Sequence, residues 1–342
     1  MPPPCSEDAV LSCLAQHFPL AHASLLLGRG DDAALLKAGR PLCVSSDLFL
    51  EDVHFRRSYF TPEEAGHKAL AVNISDMAAC GAQPFAFTLC LGLPPQTDMV
   101  WVDAFSRSMA ELADKHGMAL AGGDIAACER VHIAITIWGG ISPNGVFLGR
   151  GGSVPGDCLF VIGTLGLARV GLRMLEAYGR NALRDWPCAC AAHLLPTPQT
   201  AAGIMLARAA ANARPPALMD VSDGIARDLP RLLHANGAQY SQAAQQRPGA
   251  VIRLQERLLH PEVRRCAEDN KQDPVREALI GGEDYALLGS CAPDMLAALK
   301  TAVPGFTHIG EVTEESGILC NGEPLERLHG FDHFDSCNAP TE

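Results

Sequence analysis

The chain has 342 residues, of which 48% are hydrophobic and 19% charged; this supports a sizeable core and suggests two domains. Its net charge of −12, without any Lys/Arg-rich stretch, argues against nucleic acid or an anionic membrane as partner. No apolar run reaches the roughly 18 residues that span a bilayer, the N-terminus lacks the positive region of a signal peptide, and the 13 cysteines are scattered without a C-x-x-C pair, so free thiols in a cytoplasmic protein are expected rather than a disulfide framework.

In chain order, short apolar runs at 25–27, 33–36 and 42–45 read as strands. Thr61, Pro62 and Glu64 give a helix start, with the N-cap hydroxyl, the proline at the first position and the Glu three residues on. That helix is expected to run to about Cys80, with Gly81 as its cap. A strand is expected at 85–91, an amphipathic helix from Thr97 and Asp98 to His116 and Gly117, and strands at 118–121 and 131–139. The turn at 142–145 and the Gly/Pro-rich stretch 149–157 mark a domain boundary, dividing the chain into 1–145 and 146–342. Beyond it the pattern gives a strand at 158–162, helices near 167–178 and 199–211, and a strand at 217–221. A helix at 225–235, a polar loop at 239–249, a strand at 285–288 and a terminal region at 306–328 complete a layered α/β (α+β) domain.

An acidic protein can bind an anionic nucleotide when metal ions intervene, which directs attention to the Asp residues. Gly28, Gly30 and Ala33 formally fit the fingerprint G-x-G-x-x-G/A, but no helix follows, as that motif requires. A polar hairpin turn and a metal site at Asp31 and Asp32 remain, since Mg²⁺ favours carboxylate oxygens with waters and phosphate completing its shell. Ser45, Ser46 and Asp47 end an apolar strand, and the residues up to His54 do not read as a helix start; His54 alone reads more readily as structural. The helix over 65–80 is apolar nearly all round and so is expected to be buried. On it Asn73 and Asp76 share one face, and a buried carboxylate needs a salt bridge, a hydrogen-bonding shell or a metal.

Gly122 and Gly123 let a ligand approach the backbone beside Asp124. Asp220 closes a strand, and Ser222 can cap the helix that follows, whose N-terminus favours phosphate; capping without a ligand is the alternative. Gly281, Gly282, Glu283 and Asp284 again place glycines and carboxylates before a strand. Clustered carboxylates of this kind suit metals that bridge triphosphate oxygens. Neither a Walker loop nor the protein-kinase signature set occurs.

In order, GDDA (30–33), SSDLFLEDVHF (45–55), KALAVNISD (68–76), GGD (122–124), GTLG (163–166), DVSDG (220–224), GGEDY (281–285) and GFDHF (330–334) resemble the thiamine-monophosphate kinase family. That family belongs to the superfamily of aminoimidazole ribonucleotide synthetase, selenophosphate synthetase and the hydrogenase-maturation dehydratase. The resemblance spans almost the whole chain, and the segments ending at Phe55 and Phe334 favour the thiamine branch. It implies a two-domain aminoimidazole-ribonucleotide-synthetase-like fold, a homodimer whose N-terminal domains pair, ATP near that interface, and several Mg²⁺ ions. The implied activity is direct transfer of the γ-phosphoryl of ATP onto thiamine monophosphate. Carried over by residue, Asp32, Ser45, Ser46, Asp47, Asp76, Asp124, Asp220 and Asp223 match metal positions. Gly123, Asp124, Arg150 and Ser222 match ATP contacts, and His54, Glu283 and Phe331 match substrate contacts. Ser46, Leu48 and Ile125 stand where the family usually has Thr, and Leu167 where it usually has Asp. A cousin synthetase or dehydratase, and a nucleotide-binding paralogue without catalysis, are the alternative readings.

Overall fold

A computed structural model describes residues 25–27, 34–38, 40–235, 248–325, 328, 330 and 331. The turn expected at 28–33, with Asp32, most of the polar loop expected at 239–249, and residues 332–334 of the C-terminal motif lie outside them. The described strands form two sheets. Strands β1 (Leu25–Leu27), β2 (Ala34–Ala38), β3 (Arg40–Leu50), β4 (Ala82–Leu93), β5 (Ala119–Ala127) and β6 (His132–Ile141) make the first, in the order β1-β2-β3-β6-β4-β5. Its neighbours are antiparallel except for β4 and β5. Strands β7 (Cys158–Ile162), β8 (Ala217–Asp220), β9 (Gly249–Ile252), β10 (Leu287–Cys291), β11 (Phe306–Thr313), β12 (Ile318–Cys320) and β13 (Glu323–Pro324) make the second, in the order β13-β12-β9-β11-β7-β10-β8.

Between the sheets lies α1 (Pro62–Ala79), which packs on β3, β4 and β6 of the first sheet and on β8 of the second. Its start is fixed by a capping box in which Thr61 Oγ1 accepts from Glu64 N and Glu64 Oε2 accepts from Thr61 N. Nearly every residue of α1 is buried, as its all-round apolar pattern requires. Helix α2 (Met99–His116) lies close against it at Gly66, where a Cβ would fall 2.2 Å from the Phe105 carbonyl oxygen.

Helices α3 (Leu167–Tyr178), α4 (Ala182–Asp185), α5 (Pro187–Leu194), α6 (Thr200–Ala209), α7 (Ile225–His234), α8 (Pro261–Asp269), α9 (Pro274–Ile280) and α10 (Pro293–Ala302) surround the second sheet. The main core is continuous from Phe49 and Ile135 of the first sheet to Met219 and Leu288 of the second. The other face of the second sheet buries Phe160, Leu218 and Phe306 under α6 and α10. The described cysteines are free thiols. No described helix is long and apolar enough to cross a membrane.

The structure corrects three expected boundaries. The strand expected at 42–45 continues to Leu50, so Ser45, Ser46 and Asp47 lie within β3 rather than at its end. Strand β5 likewise runs through Gly122, Gly123 and Asp124. Gly123 is required there because a Cβ would fall 1.7 Å from the Leu89 carbonyl oxygen. The strand expected from residue 285 begins at Leu287, because Glu283 and Tyr285 adopt left-handed φ values of 63° and 48°, incompatible with a ladder.

Candidate active site

Alternation along β3 separates its polar residues. Phe49 is buried in the core, whereas Leu48 is 59% exposed on the opposite face. Ser45 and Asp47 share the face of Phe49, towards α1, and Ser45 Oγ donates to Asp76 Oδ2 of α1. One residue back on the helix, Ser75 Oγ donates to Oδ2 of Asp220 at 2.6 Å, and Asp220 is only 3% exposed. A single turn of α1 therefore links β3 of the first sheet to the end of β8 of the second.

A second link lies two turns earlier. Lys68, with no solvent exposure, places Nζ 2.8 Å from Glu283 Oε1 and over the Phe60 ring at 5.6 Å. His193 of α5, 1% exposed, brings Nδ1 to 3.0 Å from Glu283 Oε2. Burial lowers the pKa of both Lys68 and His193. Burial alone would raise that of Glu283, but the Lys68 and His193 charges and hydrogen bonds override it and hold the carboxyl well below the usual range. Glu283 is thus ionised and gripped through both oxygens.

The segment after α9 is laced to the turn after β8. Glu283 N donates to Ser222 O at 2.8 Å, Tyr285 N to Val221 O at 3.0 Å, and Val221 N to Ala286 O at 2.8 Å. Asp284 accepts from Gly166 N at 2.5 Å and Ala168 N at 3.0 Å, at the start of α3. Burial pushes its carboxyl up to about 7 against those two donors. The Tyr285 phenol is raised well above its ordinary value, first by burial and then by the charges of Glu283, Asp47, Asp220 and Asp223. The phenol therefore stays protonated.

Asp223 Oδ2 lies 2.5 Å from Arg231 Nη1 and 3.9 Å from Arg227 Nε. Asp228, fully buried, accepts from Asp223 N at 2.9 Å and is pushed up to about 7, chiefly by burial and by Asp223, with Arg231 and Arg150 opposing. Gly151 N donates to Leu232 O at 3.0 Å, which places Arg150 next to α7. Contrary to the expectation that Ser222 caps α7, Gly224 occupies the N-cap without a side-chain bond, and Asp228 accepts from the turn amide of Asp223. Phe331 reaches the same turn through its backbone: its N donates to Asp223 O at 3.1 Å, its O accepts from Arg227, and its side chain is 40% exposed.

The remaining expected residues lie elsewhere. Ser46 faces away from α1, with Oγ donating to Ile135 O at 3.0 Å and 2.9 Å from Thr136 Oγ1. His54 Nδ1 accepts from Leu50 N at 3.1 Å and its ring stacks on Phe49. Phe49 stacks on Phe55, which meets Phe60, which meets His193, so packed rings run from His54 to the Glu283 grip. Asp124 is paired with Cys90, Cys90 with Ala134 and Ala134 with Leu48. It lines a shallow cavity with Leu48 and His132 on the open face, three strand spacings or roughly 14 Å from β3. Lys68, Ser75, His193 and Tyr285 were not expected from sequence. A lysine inside an otherwise apolar helix was the available signal for the first.

Residues 30–141 match the family AIR synthase related protein, N-terminal domain. The thiamine-monophosphate kinase of Escherichia coli (strain K12) is 35% identical over 346 residues, covering 96% of this chain and 98% of that protein. The thiamine-monophosphate kinase of Mycobacterium tuberculosis (strain ATCC 25618 / H37Rv) is 32% identical, covering 91% and 87%. The chain belongs to the thiamine-monophosphate kinase family. A solved structure of a member, AaThiL complexed with AMPPCP and TMP, superimposes with a TM-score of 0.79 at 28% identity, covering 96% of this chain and 97% of that one. The aminoimidazole-ribonucleotide-synthetase-like fold expected from sequence is thus the fold of this family member.

The described donors fit the Mg²⁺ that a kinase of this family implies. No three described His, Cys, Asp or Glu side chains close on a point as an all-protein cage would. Mg²⁺ needs no such cage: one or two hard carboxylate oxygens suffice, with waters and substrate phosphates completing the shell. Ser45–Asp76 and Ser75–Asp220 hold such carboxylates in fixed orientation.

Proposed function

We propose that this chain transfers the γ-phosphoryl group of ATP onto the phosphate of thiamine monophosphate, giving thiamine diphosphate. The observation that carries the reading is one turn of α1 on which Asp76 is bonded by Ser45 of β3 and Ser75 bonds Asp220 of β8, with the turn after Asp220 laced to Glu283 and Tyr285. The likeness to AaThiL complexed with AMPPCP and TMP supplies the reactants. The acceptor is already an anion, so no general base need activate it, and bringing two polyanions together is the difficulty. Bound Mg²⁺ would supply the neutralising charge and stabilise the equatorial oxygens in the transition state.

On this reading Asp32, Ser45, Ser46, Asp47, Asp76, Asp124 and Asp220 serve the metals. Asp223 serves a further one once its pair with Arg231 opens. Gly123, Asp124, Arg150 and Ser222 contact ATP, and the Tyr285 phenol donates a hydrogen bond among the carboxylates. His54, Glu283 and Phe331 contact the thiamine substrate; both oxygens of Glu283 are already engaged by Lys68 and His193, so it acts through that fixed group. The division at residues 145 and 146, into an ATP- and Mg²⁺-binding unit and a C-terminal unit, and a cytoplasmic location belong to the same reading. So does a homodimer formed through the open face of the first sheet, where Leu48 is exposed, and its edge strand β5, where Leu120 and Ile125 are exposed. Asp124, which lines that face, reaches ATP at this interface.

Asp47→Asn should lower the rate of ADP release with thiamine monophosphate by at least ~10²-fold, the loss of several kcal/mol of metal charge stabilisation, while leaving the fold intact. Retention of more than about half the rate would remove Asp47 from the metal site, and equal ADP release with unrelated phosphate acceptors would point to a cousin enzyme. Phe331→Ala should raise KM for thiamine monophosphate roughly 3–30-fold, as the loss of stacking on a cationic heterocycle implies, with ATP binding unchanged. A joint fall in thermal stability and ATP affinity, without a selective effect on the thiamine substrate, would make Phe331 a packing residue. Sedimentation should give a dimer at micromolar concentration; a fully active 36.3 kDa monomer would contradict the pairing.

A further inference from the structure

We propose that Lys68 and His193 are positioning residues for phosphoryl transfer, which hold the segment 281–285 through Glu283 so that carboxylates from the two halves of the chain keep one fixed spacing. The proposal rests on the metal-assisted reading above and goes beyond it, because neither residue is assigned a contact with metal, nucleotide or substrate.

Four observations carry it. First, Glu283 and Tyr285 both have left-handed φ values, 63° and 48°, a conformation that side chains other than glycine keep only where the surroundings over-determine it. Second, the side-chain restraint on Glu283 comes from other elements altogether: Lys68 on α1 at 2.8 Å and His193 on α5 at 3.0 Å, one nitrogen to each oxygen. Third, the segment so held is laced by backbone hydrogen bonds to Val221 and Ser222, which lie between Asp220 and Asp223. A shift of Glu283 therefore shifts both carboxylates. Fourth, α1 grips the same assembly again two turns on, where Ser75 donates to Asp220 at 2.6 Å, beside Asp76, which Ser45 bonds. One rigid helix thus holds the second sheet's carboxylates at two points, Lys68 and Ser75, and carries its own Asp76 just beyond the second. A hinge at a single point would leave the two sheets free to rotate about α1; the Lys68–Glu283 contact removes that freedom.

A buried ion pair can also be a stability element alone. Removing one partner leaves an uncompensated buried charge and unfolds proteins for that reason. The test therefore separates stability from alignment. Lys68→Met keeps the apolar stem and removes the charge; the double variant Lys68→Met/Glu283→Gln also removes the charge left behind. Binding of AMPPCP is measured by calorimetry with and without Mg²⁺, in the absence of thiamine monophosphate so that any role of Glu283 towards that substrate does not enter. Melting temperature is measured alongside.

Lys68→Met should weaken Mg²⁺-dependent AMPPCP binding by about 10-fold or more, the usual size of losing a residue that orients metal ligands. The double variant should recover melting temperature but not affinity. His193→Phe, which keeps a ring and removes Nδ1, should weaken binding in the same direction. The proposal is overturned if affinity is unchanged in the variants, or if it returns together with melting temperature in the double variant; should Lys68→Met fail to fold, the double variant decides. Wild-type AMPPCP affinity indifferent to Mg²⁺ would instead contradict the metal reading itself.

Discussion

A lysine ammonium without any solvent exposure is stable in a protein interior only where a carboxylate meets it. In this chain that lysine is Lys68, on a helix whose other sides are packed in apolar residues. The carboxylate that meets it belongs to the opposite sheet's side of the molecule. The requirement fixes where α1 lies with respect to the segment 281–285, and hence where Ser75 and Asp76 lie with respect to Asp220. Apolar burial places α1 between the sheets but does not by itself align Lys68 with Glu283 or Ser75 with Asp220. The ion group, and the Ser75–Asp220 bond beyond it, select one setting.

The chemistry follows from that setting. Phosphoryl transfer between two anionic groups depends on positioned charge rather than on a nucleophile to be activated. The protein supplies carboxylates from β3, α1 and the turn after β8, restrained by serine hydroxyls, and arginines flank them at Asp223 and Asp228. Tyr285 adds a neutral phenol whose proton is kept first by burial and then by the charges of nearby carboxylates. The close packing of α2 on Gly66 and of α6 on Ala78, where a Cβ on Gly203 would fall 2.0 Å from the Ala78 carbonyl oxygen, leaves α1 no slack.

Much of this was legible in the sequence. The capping box at Thr61 and Glu64, the burial of α1 and the placement of carboxylates beside glycines all rest on local rules that tertiary structure does not overturn. The limits of β3 and β5 were not legible, because polar residues inside a strand look like strand ends until the opposite strand is known: Ser45 and Asp47 are polar towards α1, whereas Ser46 is polar towards Thr136. Helices α5, α8, α9 and α10 each begin with proline in the first turn, a signal present in the sequence but too short-ranged to stand out among 24 prolines. His193 could not be singled out at all, since its role is defined by residues at positions 68 and 283. The left-handed backbone at Glu283 and Tyr285 was equally hidden, because neither residue type announces it; only the lacing to residues 221 and 222 imposes it.

On the proposed function, carboxylates from both sheets and from the helix between them serve one metal-binding site. Anomalous diffraction from crystals grown with Mn²⁺ and AMPPCP tests it most directly. Metal peaks are expected within coordination distance, about 2.0–2.3 Å, of oxygens from Asp47 or Asp76 on one side and from Asp220 on the other, with nucleotide phosphates completing the shells. Metal peaks held by residues of one sheet alone, or phosphates seated away from Tyr285, would contradict it.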